Sequence, residues 1–426
     1  MSDTIHKKLG ILVGGGPAPG INGVIHSATI EAVNNDCEVL GIYDGFKHLM
    51  EGKLVVEELT INDVSRIHLN GGSILRTSRA NPTKSAAALA QCGRTLLKAN
   101  IGYLLAIGGD DTAYSAYRVA RYAQEELGAD IQVAHAPKTI DNDLPLPEDI
   151  CTFGYETARE LGTRLVMNLM EEGLTGFRWF FVVTMGRKAG HLALGIGKSS
   201  GATITLIPEE WQGRPIRLQE VADILVTTLI RRFVDDKPYG VALVAEGVMA
   251  QMAHEDLHEL EYVERDEHGH IRLAEINFAD ILKRVVQMQL DKLGIKLSIT
   301  SKDLGYELRC AAPVAFDIDY TRSLGEAAME FLLAGGTNAT ITIQGNQVVP
   351  IPFSQMMDPE TGRTEVRQVN VNSFRYRSAY KFMIRLKPED ATNVALLSRM
   401  ADKTNLSLEE FKQRYGYLIN IAPQPF

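Results

Sequence analysis

The chain has 426 residues, 45% hydrophobic and 23% charged, with a formal net charge of −9. This suits a soluble globular protein of two or three domains, or one large α/β unit with an extension, whose core needs no covalent staples; the negative charge excludes a general field for nucleic acid or an anionic membrane surface. Cys37, Cys92, Cys151 and Cys310 lie far apart without Cys-x-x-Cys spacing, so neither a zinc site nor a disulfide framework is expected, and all four read as reduced packing thiols. Residues 1–8 lack the apolar core of a secretion signal, and no apolar run approaches the ~18 residues of a membrane helix, so a cytoplasmic location is expected. Any anionic ligand must be held by a local basic pocket against the global charge.

In chain order, short apolar runs end in glycine-rich or charged loops. Residues 9–13 run into Gly14-Gly15-Gly16, with a helix starting near Asn22. Residues 39–43 end at Asp44-Gly45, and residues 103–107 end at Gly108-Gly109-Asp110-Asp111. Ala113, Ala116, Tyr117, Ala120, Ala123 and Leu127 then recur at helical spacing. Residues 180–183 end at Met185-Gly186-Arg187, residues 204–207 at Pro208-Glu209, and residues 241–245 at Glu246-Gly247. Strands alternating with helices predict mostly parallel sheets covered on both faces, with ligands beyond the carboxyl ends of the strands. The charged stretch 251–270 reads as a solvated helix pair or surface insertion. Residues 335–387 read as short strands and turns, and residues 393–417 as peripheral helix.

Three loops carry chemistry. Gly14-Gly15-Gly16-Pro17-Ala18-Pro19-Gly20 after a strand suits backbone approach to phosphate, but a dinucleotide-binding unit, with Asp44 as its ribose acid, or a purely structural turn would look similar. In Gly108-Gly109-Asp110-Asp111-Thr112, either aspartate could cap a helix, yet two acids beside two glycines also suit a hard cation such as magnesium. Pro137-Lys138-Thr139-Ile140-Asp141-Asn142-Asp143 places a base, two acids, an amide and a hydroxyl in seven residues. Phosphoryl transfer needs that set: one carboxylate to take the proton from the attacking hydroxyl, another for the metal, and a lysine against phosphate charge.

With Gly71-Gly72-Ser73-Ile74-Leu75-Arg76-Thr77-Ser78-Arg79, Met185-Gly186-Arg187 and Pro208-Glu209, these loops resemble, in the same order, the motif set of the phosphofructokinase family over roughly residues 9–325. The resemblance implies two Rossmann-like three-layer α/β domains with mostly parallel sheets and the active site in the cleft between them. Residues 1–150 plus about 308–360 would bind diphosphate and magnesium, and about 151–307 plus 361–426 the sugar phosphate. By the same resemblance Asp141 is the base for the sugar 1-hydroxyl and Asp110 the magnesium ligand, supported by Asp143. Thr139 contacts the sugar or the transferring phosphoryl, and Arg187 stabilises transition-state charge. Gly15, Arg79, Asp111 and Lys138 meet the donor. Met185, Gly186 and Glu209 meet the sugar, Arg309 holds its 6-phosphate, Tyr306 is a further substrate contact able to donate one hydrogen bond, and Arg178 reaches across a subunit interface, implying a homodimer or homotetramer. Histidine is usual in bacterial ATP-dependent members where Tyr306 stands, and a second cross-subunit arginine has no match.

ATP-using members typically have glycine at the position of Asp111. A carboxylate there adds bulk and a like charge, which at ~4 Å costs ~1 kcal/mol in water and ~4 kcal/mol at an effective dielectric near 20. Lys138 supplies a point charge for a compact diphosphate. The resemblance is therefore to the pyrophosphate-dependent branch, with small-molecule partners only. The alternatives are an ATP-dependent 6-phosphofructokinase, a dinucleotide-dependent oxidoreductase resting on Gly14, Gly16 and Asp44, and a non-enzymatic subunit with a decayed site, against which Asp141 and Arg187 both stand.

Overall fold

A computed structural model describes residues 7–147, 149–258, 276–356 and 364–421. The charged stretch after His258 lies outside the described residues. The strands are, in chain order, β1 (Lys8–Val13), β2 (Val39–Ile42), β3 (Val56–Glu58), β4 (Ile101–Gly108), β5 (Gln132–Pro137), β6 (Arg178–Thr184) and β7 (Ile204–Leu206). They continue as β8 (Gly240–Ala245), β9 (Ser298–Leu304), β10 (Ala339–Gln344) and β11 (Gln347–Pro352). They divide between two units, Met1–Ala158 with Tyr306–Arg367, and Arg159–Gly305 with Gln368–Phe426.

The first unit holds a sheet in the order β11-β10-β5-β4-β1-β2-β3, parallel from β10 to β2 and antiparallel at both edges. Its strands are apolar on both faces because both faces are covered. Leu9, Ile11, Val13, Leu105 and Ile107 pack against helices Ile21–Asn34 and Ala315–Leu333. Leu12, Leu104, Ala106 and Val133 pack on the other side, with helices Ala86–Lys98 and Asp110–Leu127. The first pair of helices approaches closely: a Cβ on Gly23 would lie 2.1 Å from Thr321 Oγ1.

The second unit holds four parallel strands in the order β7-β8-β6-β9. Helix Leu218–Val234 is buried along most of its length. Its C-terminal part departs from expectation in two places. Residues 374–382 form a helix, Phe374–Phe382, capped by the Ser373 hydroxyl, which accepts from Tyr376 N, and buried through Tyr376, Ala379 and Tyr380. Helices Val394–Ala401 and Leu408–Tyr415 stand where helix was expected, but Met400 and Tyr415 are fully buried, so this segment belongs to the core rather than to the periphery.

Candidate active site

In the first unit β5, β4 and β1 are neighbours and parallel, so loops far apart in sequence emerge side by side at their carboxyl ends. Gly14 N donates to Ile107 O at 2.9 Å, and Lys138 N to Gly108 O at 2.8 Å. The glycines divide into two roles. Gly14 and Gly108 make room for Thr112, whose Oγ1 would lie 2.3 Å from a Cβ on either. Gly15, in the left-handed region at φ 83°, and Gly16 face cations: a Cβ on Gly15 would lie 3.4 Å from Lys138 Nζ, and one on Gly16 3.5 Å from Arg309 Cζ. The loop carrying Arg79 is pinned to Gly15 from both sides, by Gly15 N donating to Ser78 O at 2.8 Å and Thr77 Oγ1 donating to Gly15 O at 2.6 Å.

Lys138 is only 4% exposed, and its ammonium donates to Gly16 O. Burial pushes its pKa down to about 8, helped by Arg309 and Arg79 and opposed by Asp141 and Asp143. Desolvation of a cation outweighs the two nearby carboxylates here. Those residues surround one lysine, so the first unit gathers Gly15, Arg79, Lys138, Asp141, Asp143 and Arg309. The Arg309 guanidinium also lies 5.2 Å from the centre of the Tyr306 ring, which is 77% exposed.

Gly109, not an aspartate, is the N-cap of helix Asp110–Leu127. Asp110 Oδ1 accepts from Asp111 N at 3.0 Å, while Asp111 is exposed in the first turn. Thr139 Oγ1 accepts from Asp141 N at 3.0 Å. Asn142 takes φ 57° and its Oδ1 accepts from Thr152 N at 3.0 Å, which sets the two acids on either side of a fixed residue. Beneath the site, fully buried His135 spans Thr340 Oγ1 at 3.0 Å and Gly108 O at 2.8 Å. A carbonyl only accepts, so His135 Nε2 carries the proton and Nδ1 accepts from the threonine hydroxyl; burial pushes its pKa down to about 4. Asp44 is hydrogen-bonded to His48 Nε2 at 3.2 Å and ion-pairs with Arg76 at 3.6 Å, which gives it partners without a ribose.

In the second unit Met185, Gly186 and Arg187 follow β6. Gly186 takes φ 129°, and its carbonyl accepts from Gly247 N at 3.0 Å. Arg187 is half-exposed, 3.9 Å from Glu246. Glu209 is 7% exposed; its Oε1 accepts from Gly190 N and Val369 N, each at 2.9 Å, while its buried Oε2 has no hydrogen-bond partner. Such an orphaned acceptor suits a ligand hydroxyl, and burial raises the pKa of this carboxyl. Arg178 is not brought to this end. It opens a seven-residue strand that Arg187 follows, so roughly 20 Å separates the two ends at ~3.3 Å per residue. Arg178 instead lies 3.7 Å from Glu172, next to exposed Phe177.

Sequence reasoning passed over three participants: His135, the Val369 amide on Glu209, and Arg367, described below. Each is a lone residue outside the motif loops, and only the fold brings it to its partner.

Among the described residues no group of three or more His, Cys, Asp or Glu could hold a metal unaided. Asp110 and Asp143 fit a hard cation that binds through one or two carboxylates and takes its remaining ligands from substrate phosphates and water.

Carboxylates and a buried ammonium, with further arginines around it, at the carboxyl ends of parallel strands suit an α/β phosphotransferase. The phosphofructokinase family model matches residues 8–332. The chain is 51% identical to the pyrophosphate–fructose 6-phosphate 1-phosphotransferase of Thermotoga maritima over 96% of this chain and 98% of the relative. It is 47% identical to the enzyme of the same name from Naegleria fowleri, over 96% and 95%. The crystal structure of a pyrophosphate-dependent phosphofructokinase from Nitrosospira multiformis shares the fold at a TM-score of 0.67 and 18% identity, covering 89% of this chain and 92% of that one. The chain belongs to the phosphofructokinase family. Membership leaves the dinucleotide oxidoreductase reading without support.

Proposed function

We propose that the chain transfers a phosphoryl group, reversibly, from diphosphate to the 1-hydroxyl of fructose 6-phosphate, with magnesium, in the cytoplasm. The observation that carries the donor is Lys138, a buried ammonium held against the Gly15 and Gly16 backbone. Asp111 works from the other direction. Because it is exposed, its repulsion of an extra phosphate belongs near the ~1 kcal/mol aqueous end of the range. That is about tenfold at most, so its bulk, beside the charge, is what bars a nucleotide, and Lys138 supplies the preference for the compact donor. The names of the two relatives near 50% identity support the same donor and acceptor.

Asp141 takes the proton from the attacking hydroxyl while Thr139, already holding the Asp141 amide, meets the sugar end. Arg79, Lys138 and Gly15 hold the donor. Asp110 and Asp143 would hold magnesium, which neutralises charge on the diphosphate oxygens when bound. In the second unit Arg187 stabilises charge in the transition state, Met185 and Gly186 line the sugar, and the orphaned Glu209 Oε2 accepts from a sugar hydroxyl. Tyr306 and Arg309 receive the 6-phosphate. Arg178, at the far end of β6, serves the site of another subunit in a homodimer or homotetramer.

The test is turnover with diphosphate and with ATP, against fructose 6-phosphate and sedoheptulose 7-phosphate, in both directions. Diphosphate with fructose 6-phosphate is expected to exceed ATP at least a hundredfold in kcat/KM. Equal or better use of ATP would refute the donor.

A further inference from the structure

Asp141 and Asp143 sit on a loop that regular secondary structure does not hold. Residues 142–150 contain Pro145 and Pro147, and among the described residues the backbone bonds inside the loop are Leu146 N to Leu144 O at 2.7 Å and Ile150 N to Pro147 O at 2.9 Å. Its carbonyls turn instead onto one guanidinium. Arg367 Nε and Nη2 donate to Asn142 O at 3.2 and 3.0 Å, and Nη2 also donates to Asn142 Oδ1. Nη1 donates to Pro147 O at 2.8 Å, Ile150 O at 2.7 Å and Leu146 O at 3.2 Å, and the Arg367 amide donates to Asp143 O at 2.9 Å.

We propose that Arg367 is the positioning residue of the catalytic loop, fixing Asp141 and Asp143 through the asparagine between them. Asn142 is 4% exposed, held at its backbone carbonyl by Arg367 and at its side-chain oxygen by both Arg367 and Thr152. Its φ of 57° lies in the left-handed region, which asparagine tolerates better than most non-glycine residues, and these contacts hold it there. Anchoring this residue fixes the backbone from which its two neighbours project. The planar fork of arginine reaches both carbonyl clusters at once, and a lysine ammonium reaches only one. Arg367 lies beyond the stretch matched by the family model, so this support comes from the C-terminal extension. The inference rests on the phosphotransfer reading of Asp141 and Asp143.

Arg367→Lys and Arg367→Ala are to be compared with the parent in kcat, KM for each substrate and thermal midpoint. Ile341→Val, a buried change in the same unit, serves as the stability control. In Arg367→Lys, kcat is expected to fall at least tenfold with both KM values within about threefold, because a displaced base loses its geometry before its binding partners. Arg367→Ala falls further, and Ile341→Val leaves kcat in place. If folded Arg367→Lys and Arg367→Ala keep kcat within twofold of the parent, the inference is overturned. Should the parent prefer ATP, the donor reading fails by itself, and the same kcat ratios measured with ATP still decide the role of Arg367.

Discussion

Lys138 is the residue on which charge and burial meet. With burial holding its pKa near 8, the ammonium is present at neutral pH and lost as pH rises through 8. The value of kcat/KM for diphosphate, which reports the free enzyme, is therefore expected to fall on the alkaline side with an apparent pKa near 8. Lys138→Met should lower kcat/KM at neutral pH and remove that limb; a limb unchanged in the variant would assign the titration to another group. Lys138, Asp141 and Asp143 were legible in the sequence because three chemical groups fall within six positions. Arg367 was not: its partner Asn142 lies 225 residues away, and a lone arginine in a proline-punctuated segment carries no local signal. The sequence also could not divide the glycines between spacing and binding, since that division depends on where the Thr112 side chain lies.

At the scale of elements, apolar runs ending in glycine-rich or charged loops were enough to locate β1, β2, β4, β6, β7 and β8. β5 carries Gln132 and His135, which interrupt its apolar character. Both are satisfied by residues distant in sequence: Gln132 Nε2 donates to Leu332 O at 3.2 Å and Gly336 O at 3.1 Å, and His135 bonds to Gly108 and Thr340. Helix Phe374–Phe382 was hidden for a related reason, as its buried face is tyrosine and its exposed ends are Phe374 and Phe382. The approach of helices Ile21–Asn34 and Ala315–Leu333 yields a stability test. Gly23→Ala puts a methyl where Thr321 Oγ1 stands, and overpacking of this kind costs about 1–3 kcal/mol. A lower thermal midpoint is expected, partly restored by adding Thr321→Ala, since contacting residues do not act additively. No loss in Gly23→Ala would mean that the helices separate at little cost.

For the whole molecule, each unit is assembled from two stretches of chain, an order that periodicity does not reveal. Arg178 tests the subunit arrangement. If it serves another subunit, Arg178→Ala and Asp141→Asn enzymes, each nearly inactive, should regain activity when unfolded together and refolded as mixed oligomers. In a mixed dimer the Arg178→Ala chain keeps its own Asp141 and receives Arg178 from its partner. Failure to regain activity in verified mixed oligomers would place Arg178 in its own chain's site or in none.

The proposed donor assignment rests on the pair at the strand ends, Asp111 as the acid proposed to obstruct the nucleotide and Lys138 as the buried ammonium proposed to hold diphosphate. Its most direct measurement is the ratio of kcat/KM for ATP to that for diphosphate in the parent, Asp111→Gly, and Asp111→Gly with Lys138→Gly. The ratio is expected to rise at least tenfold in the single variant and further in the double, through gain of ATP use as well as loss of diphosphate use. Both variants rejecting ATP as fully as the parent would contradict it.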